Sequence, residues 1–172
     1  MGFNGLARKG PVMPKFRIRD LLGMGQNIPL AAPLAGWLMA PADGPGVGLV
    51  IDPVDHMLQA PCDGVVTRVL PGSRSLTMIL ANGARLLLSI GTASQGLAGA
   101  GLVPHVTAGQ WVWTGDPLIS FDMDTFAHKT KSLLISMVVL GGTFRMSPAV
   151  INRPIASGEP LASIRPLAPP AT

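Results

Sequence analysis

The chain has 172 residues, a length that fits one domain, and 48% of them are hydrophobic while only 13% are charged. This composition excludes intrinsic disorder. The formal net charge of +4 does not indicate nucleic-acid binding, because basic residues concentrate at the start and no dense basic cluster with interleaved aromatics follows. We expect one globular domain after a basic arm that contains Arg8, Lys9, Lys15, Arg17 and Arg19.

The basic arm also carries apolar residues at roughly helical spacing, namely Phe16, Ile18, Leu21 and Leu22. Such an arm is able to lie on an anionic membrane surface, and a solvated tail explains the pattern equally well. The uncharged segment from Leu21 to Ala42 is about long enough to span a bilayer, but three prolines and three glycines interrupt it. No signal-peptide pattern is evident. We therefore expect a cytoplasmic protein, with the arm as a candidate membrane contact.

Short aliphatic runs between turn residues, such as 64–70 and 85–90, predict many short strands. Only the segment from Asp124 to Leu134 has a pattern that fits a short helix, with Asp122 or Asp124 as its cap. The single cysteine, Cys62, gives neither a disulfide nor a metal-ligand pattern, and we interpret it as a small buried residue in a strand.

The chain repeats itself in two ways. Residues 30–36 and 58–64 share the pattern Leu-x-Ala-Pro-x-x-Gly, which predicts two similar turns that redirect strands. The tripeptides Gly115-Asp116-Pro117 and Gly158-Glu159-Pro160 form a second pair. In each, we expect glycine at a position where φ is positive and proline at the entrance of a strand.

Further blocks follow in order along the chain: Ala32–Gly36, Gly46–Pro53, Ala60–Gly64, Ile90–Gly91 with Leu97–Leu102, Gly109–Leu118 and Phe121–Asp122. Their order and spacing resemble the glucose-type enzyme IIA of the bacterial sugar phosphotransferase system, over roughly residues 30–165. The resemblance implies an all-β fold, an antiparallel β-sandwich or barrel-like duplicated hybrid motif with short helical turns. It divides the chain into a basic arm (1–27), a β domain (28–165) and a Pro-rich tail (166–172).

In this family a histidine in the motif Leu-x-x-His-(Phe/Ile)-Gly accepts phosphate from the histidine phosphocarrier protein and passes it to the permease. A second histidine, fifteen residues earlier, hydrogen-bonds the phosphoryl group. Here the matching positions hold Ser89 and Arg74. A serine hydroxyl without an adjacent base is a poor nucleophile, and arginine is always charged and cannot carry phosphate. The metal site that the two histidines can form in the family is lost with them, so we expect neither a metal nor a cofactor.

Two further departures fall on the same functional surface. Ala93 replaces the aspartate that the family usually has there, and the link from Gly36 to Gly46 is shorter than the family's. We predict a protein-contact face that contains Arg74, Ser89, Ala93 and Trp37. Trp111 and Trp113 support a contact role only weakly, because alternation puts both rings on one strand face where they pack equally well against a sheet.

Two hypotheses remain open. The preferred one is a regulatory or protein-binding module that has lost phosphotransfer and contacts components of the phosphotransferase system, so that the chain is not itself an enzyme. The alternative is an active phosphocarrier that uses Ser89 or a histidine outside the aligned positions: His56, His105 or His128. Zinc hydrolysis and lipoyl or biotinyl carriage are disfavoured, because no His-x-His motif exists and the hairpin tip at Asn82-Gly83 has no lysine.

Overall fold

The computed structural model describes residues 26–41, 47–70, 74–91, 101–122, 124, 133–147 and 149–167, and these contain fourteen strands. Their bounds are β1 Ile28–Ala31, β2 Gly36–Met39, β3 Gly48–Pro53, β4 Met57–Gln59, β5 Gly64–Val69, β6 Ser75–Leu80, β7 Arg85–Ile90, β8 Leu102–Pro104, β9 Trp111–Val112, β10 Pro117–Phe121, β11 Ile135–Leu140, β12 Phe144–Met146, β13 Arg153–Ile155 and β14 Pro160–Pro166.

The strands form one eight-stranded sheet and two three-stranded sheets. The large sheet has the order β13-β2-β3-β11-β7-β6-β5-β9, and the small sheets have the orders β1-β14-β12 and β4-β10-β8. Every pairing is antiparallel. This confirms the all-β expectation, and the strands predicted at 64–70 and 85–90 are β5 and β7.

The helix predicted from Asp124 to Leu134 lies mostly outside the described residues. At its start, the carboxylate of Asp122 accepts a hydrogen bond from the Asp124 amide at 3.0 Å.

The repeated Ala-Pro segments contact each other through reciprocal backbone hydrogen bonds. The amide of Ala31 donates to the carbonyl of Pro61, and the amide of Gln59 donates to the carbonyl of Pro33, both at 2.8 Å. Ala31 and Gln59 are 28 residues apart, and so are Pro33 and Pro61, so each bond is the counterpart of the other under the offset that relates the sequence repeats. The duplication seen in the sequence is therefore a pseudo-twofold relation in the fold.

The Gly-Asp-Pro and Gly-Glu-Pro turns also follow the pseudo-twofold relation, because their glycines bond to equivalent residues of the two Ala-Pro segments. Gly115 donates to the carbonyl of Ala60 at 2.8 Å, and Gly158 donates to the carbonyl of Ala32 at 3.0 Å. Both glycines have positive φ, +90° and +81°. Strands β10 and β14 begin at the prolines that follow, as the sequence predicts.

The side chains that alternate along the strands build one apolar core. Along β7, Leu86, Leu88 and Ile90 are buried, while Leu87 and Ser89 point to the opposite face and are half-buried. Cys62 also belongs to the core, but it lies in the bend between β4 and β5 and not in a strand, which corrects that detail. Burial raises the pKa of its thiol to about 12, so the thiol stays protonated and unreactive at neutral pH.

The turn before β14 carries an ionic contact that makes stability depend on pH. The Glu159 carboxylate accepts hydrogen bonds from the Ala156 amide at 2.9 Å and from Arg153 Nη1 at 2.6 Å. The backbone hydrogen bond, followed by the one from Arg153, lowers the pKa of Glu159 below its usual value. A lowered pKa stabilises the folded chain above the unfolded-state pKa, and this contribution disappears as pH falls through the folded-state pKa.

We expect the free energy of unfolding to fall between about pH 5 and pH 3 more steeply in the native chain than in Glu159→Gln. Urea denaturation at a series of pH values measures both slopes. Equal slopes would show that the Glu159 contact contributes nothing to acid sensitivity.

Candidate functional site

Ser89 lies on the outer face of the eight-stranded sheet, at the centre of a row of hydroxyl groups. It pairs with Ser75 on β6 and with Ser136 on β11. Directly paired residues on antiparallel strands point to the same face with Cβ atoms about 5 Å apart, so three serines stand side by side. Ser75 is only 6% exposed, whereas Ser89 and Ser136 are half-buried.

Arg74 lies next to this row. It immediately precedes β6, and its carbonyl accepts a hydrogen bond from the amide of Ile90 at 2.8 Å. This bond holds the Arg74 backbone against the residue that follows Ser89. The structure thus brings together the two positions that the family resemblance assigns to histidines, although fifteen residues separate them in the chain.

The remaining outer face around Ser89 is largely apolar. Ser136 pairs with Val50 on β3, and Val50 pairs with Met39 on β2. The side chains of Val50, Met39 and Leu87 are half-buried. The hydroxyl row thus continues into partly exposed apolar side chains.

Trp37 shares this face at a distance from Ser89. It lies on β2, two residues before Met39, with 47% of its surface exposed. Strand β2 is three strands away from β7, which puts Trp37 about 15 Å from Ser89 by standard strand spacing. Pro154 of β13 pairs with Trp37 and is also exposed. Ala93, the fourth residue of the predicted contact face, lies outside the described residues.

The other two tryptophans pack on each other. Trp111 is only 7% exposed, Trp113 is 50% exposed, and their rings meet edge to face with centroids 5.4 Å apart. Edge-to-face contact is a favoured aromatic geometry. Trp111 therefore packs against the sheet, while Trp113 leaves half of its surface open.

The histidines that the described residues contain belong to another part of the fold. The His105 Nε2 atom lies 3.0 Å from the hydroxyl of Ser120, a residue of the small sheet β4-β10-β8. His56 Nδ1 lies 3.4 Å from the carboxylate of Asp55, just before β4. His128 lies outside the described residues. Both described rings thus contact side chains that are not on the strand of Ser89.

Two other features are the candidate metal ligands and the tip of the β6–β7 hairpin. No group of three or more His, Cys, Asp or Glu side chains there is arranged to hold a metal ion. At the β6–β7 hairpin, Asn82 is 1% exposed, and its side-chain amide donates to the carbonyl of Gln26 at 3.1 Å. A carrier module needs a free lysine at such a tip, whereas this tip is fastened to the N-terminal end of the domain.

The described strands form an antiparallel, duplicated β domain whose candidate site lies on the outer face of the large sheet. Residues 25–143 match the family model described as phosphoenolpyruvate-dependent sugar phosphotransferase system, EIIA 1. The chain belongs to this family.

Curated relatives and a solved structure agree with the family match. A glucose-specific EIIA component from Bacillus cereus is 29% identical over 133 residues, which cover 70% of this chain and 81% of the relative. One from Halalkalibacterium halodurans is 33% identical over 117 residues, covering 63% and 68%. The structure of glucose permease IIA from Mycoplasma capricolum matches with a TM-score of 0.68 at 24% identity, covering 80% of this chain and 96% of that one.

The sequence suggests Ser89 and Arg74 as site residues and gives no sign of Ser75 and Ser136. These serines are functional candidates only because the strand register places them beside Ser89. No local signal marks them, because Ser136 lies 47 positions beyond Ser89 in the chain. Within the described residues, no helix is long and apolar enough to cross a membrane.

Proposed function

We propose that this EIIA domain does not transfer phosphate and instead acts as a regulatory module that binds other proteins through the outer face around Ser89. The observation that carries the proposal is the hydroxyl side chain of Ser89 at the position where the family resemblance places the acceptor histidine. Its neighbours in the row, Ser75 and Ser136, supply further hydroxyls and no base. A serine without a base is a weak nucleophile, and its phosphate ester is too stable to pass on.

The surrounding surface supports a role in protein contact. Half-buried Val50 and Met39 extend the face from Ser89 toward the exposed ring of Trp37. Tryptophan is enriched among the residues that dominate binding energy. The partners we propose are components of the sugar phosphotransferase system, since the relatives are glucose-specific components of that system. We place the domain on the cytoplasmic side, with the basic arm 1–27 as a peripheral membrane contact.

Phosphate transfer is tested by incubating the chain with phosphoenolpyruvate, enzyme I and the histidine phosphocarrier protein, followed by intact-mass measurement. We expect no mass gain. A gain of one phosphate that disappears in Ser89→Ala would establish the alternative function, an active phosphocarrier that uses Ser89. A gain that survives Ser89→Ala would assign the acceptor to a histidine.

Binding is tested separately from transfer. Titration of the labelled domain with the phosphocarrier protein should shift the amide resonances of β2, β3, β7 and β11, and Trp37→Ala should weaken binding about tenfold or more. Trp113→Ala is the matched control, because Trp113 is equally exposed but follows β9 at the far edge of the sheet. If both substitutions have the same effect, the proposed face is wrong.

A further inference from the structure

A second candidate site lies at the far end of β11 from the serine row. A cavity of about 190 Å³ opens there between the large sheet and the sheet β1-β14-β12. The start of β3 and the end of β11 form one wall, joined by a hydrogen bond of 2.8 Å from the Val139 amide to the Val47 carbonyl. The other wall is Phe144 and Leu167. Four of the seven lining residues are thus apolar, namely Val47, Val139, Phe144 and Leu167, and Gly141 and Gly142 lie beside them.

One arginine lines this cavity and two more lie near it. Arg145 lines it, and Arg145 pairs directly with Arg165 across β12 and β14, where both are exposed. Arg85 reaches the turn as well, since its Nη2 atom lies 3.9 Å from where a Cβ on Gly141 would be. Like charges placed directly opposite each other on adjacent strands destabilise a sheet unless an anion neutralises them.

No acidic side chain in the described part of the chain compensates these arginines. The ion pairs formed there are Asp55 with His56 and Arg153 with Glu159. None of the described acidic residues belongs to β12, to the turn at 141–143 or to the end of β14; they are Asp52, Asp55, Asp63, Asp116, Asp122, Asp124 and Glu159. The charge at this end is thus uniformly positive among the described residues.

From this combination we infer a binding site for a small organic anion, a carboxylate carried on a compact aromatic or branched alkyl group. The apolar body fills the cavity, and the carboxylate accepts hydrogen bonds from Arg145 while also neutralising the charge of Arg165. A cavity of about 150 Å³ holds one benzene molecule, so 190 Å³ suits a group of this size. Sites for drug-sized ligands begin at about 300 Å³, which limits the ligand to a small one.

The probe for this site is sodium benzoate, titrated into the full chain and followed by the amide resonances of Gly141 and Gly142. Benzoate should give saturable shifts at millimolar concentrations. Benzyl alcohol keeps the ring without the charge, and acetate keeps the charge without the ring. Each control ligand should bind at least about tenfold more weakly than benzoate, because it lacks either the carboxylate or the ring.

Two substitutions separate the two halves of the site. Arg145→Gln should lower the affinity for benzoate about tenfold. Gly142→Leu should abolish binding by filling the cavity. The variant should fold normally, because a Cβ on Gly142 meets nothing within 4 Å and the φ of Gly142 is not positive. Arg68→Gln removes the same charge from an exposed position on β5 and should leave binding unchanged.

Thermal unfolding gives a readout that does not depend on resonance assignment. Benzoate should raise the Tm of the native chain more than that of Arg165→Gln, because the repulsion that the anion relieves is absent in the variant. The inference is overturned if benzoate shifts neither glycine, or if acetate binds as well as benzoate. It is also overturned if only phosphatidylglycerol vesicles shift these amides, because the site would then contact a membrane surface.

Discussion

A chain that carries Ser89→His together with Arg74→His is expected to accept one phosphoryl group from the phosphocarrier protein, whereas the native chain accepts none. The physical reason is the chemistry of the imidazole nitrogen, which is neutral and nucleophilic near pH 7 and leaves readily from phosphorus afterwards. Position 89 is half-buried at the surface of the sheet, so a larger ring there stays open to a partner. Intact mass after incubation with phosphoenolpyruvate, enzyme I and the phosphocarrier protein measures the gain.

The chain offers a matched control for this gain of function. Ser136→His places an imidazole on the adjacent strand, directly beside position 89 and on the same face. If the scaffold retains the transfer geometry at position 89, this variant should stay unmodified. Acid treatment identifies the bond, because phosphohistidine is labile in acid and phosphoserine is not. Modification of Ser136→His to the same extent would show that the exact position is unimportant, and an unmodified double variant would show that the docking surface is lost as well.

Gly36→Ala is expected to destabilise the fold by at least about 3 kcal/mol. A Cβ on Gly36 would lie only 2.3 Å from the Asp52 carbonyl oxygen and 2.8 Å from a methyl group of Ile51. The carbonyl belongs to the neighbouring strand and takes part in the sheet, so relief requires β2 and β3 to separate. Urea denaturation of the variant and the native chain measures the change.

The repeat provides an internal replicate of this prediction. Gly64 occupies the equivalent position, and a Cβ there would lie 2.6 Å from the Ile79 carbonyl oxygen, so Gly64→Ala should also be strongly destabilising. Gly142→Ala is the control, since it lies in open space and should change stability by less than about 0.5 kcal/mol. Similar values for all three variants would mean that loss of glycine flexibility in general, and not close approach of strands, determines the effect.

Of the two kinds of repeated glycine, the structural role of one can be predicted from the sequence and the role of the other cannot. The glycines of Gly-Asp-Pro and Gly-Glu-Pro were expected at positive φ, and Gly115 and Gly158 have it. The glycines of Ala-Pro-x-x-Gly follow the predicted bends, but Gly36 and Gly64 are required for another reason, the close approach of a neighbouring strand. A turn preference is local and can be read from neighbours in sequence, whereas that close approach depends on a strand distant in the chain.

The sequence by itself determined the all-β class and the duplicated turns, because both can be read from residues close together in the chain, and the family resemblance places Ser89 at the position of the acceptor histidine. Only the tertiary structure decided that Ser75 and Ser136 stand beside Ser89, and that Arg145, which lines a small cavity, pairs with Arg165. Strand register sets these neighbours, and register depends on how the whole core packs. Both candidate sites are therefore consequences of pairings between distant strands.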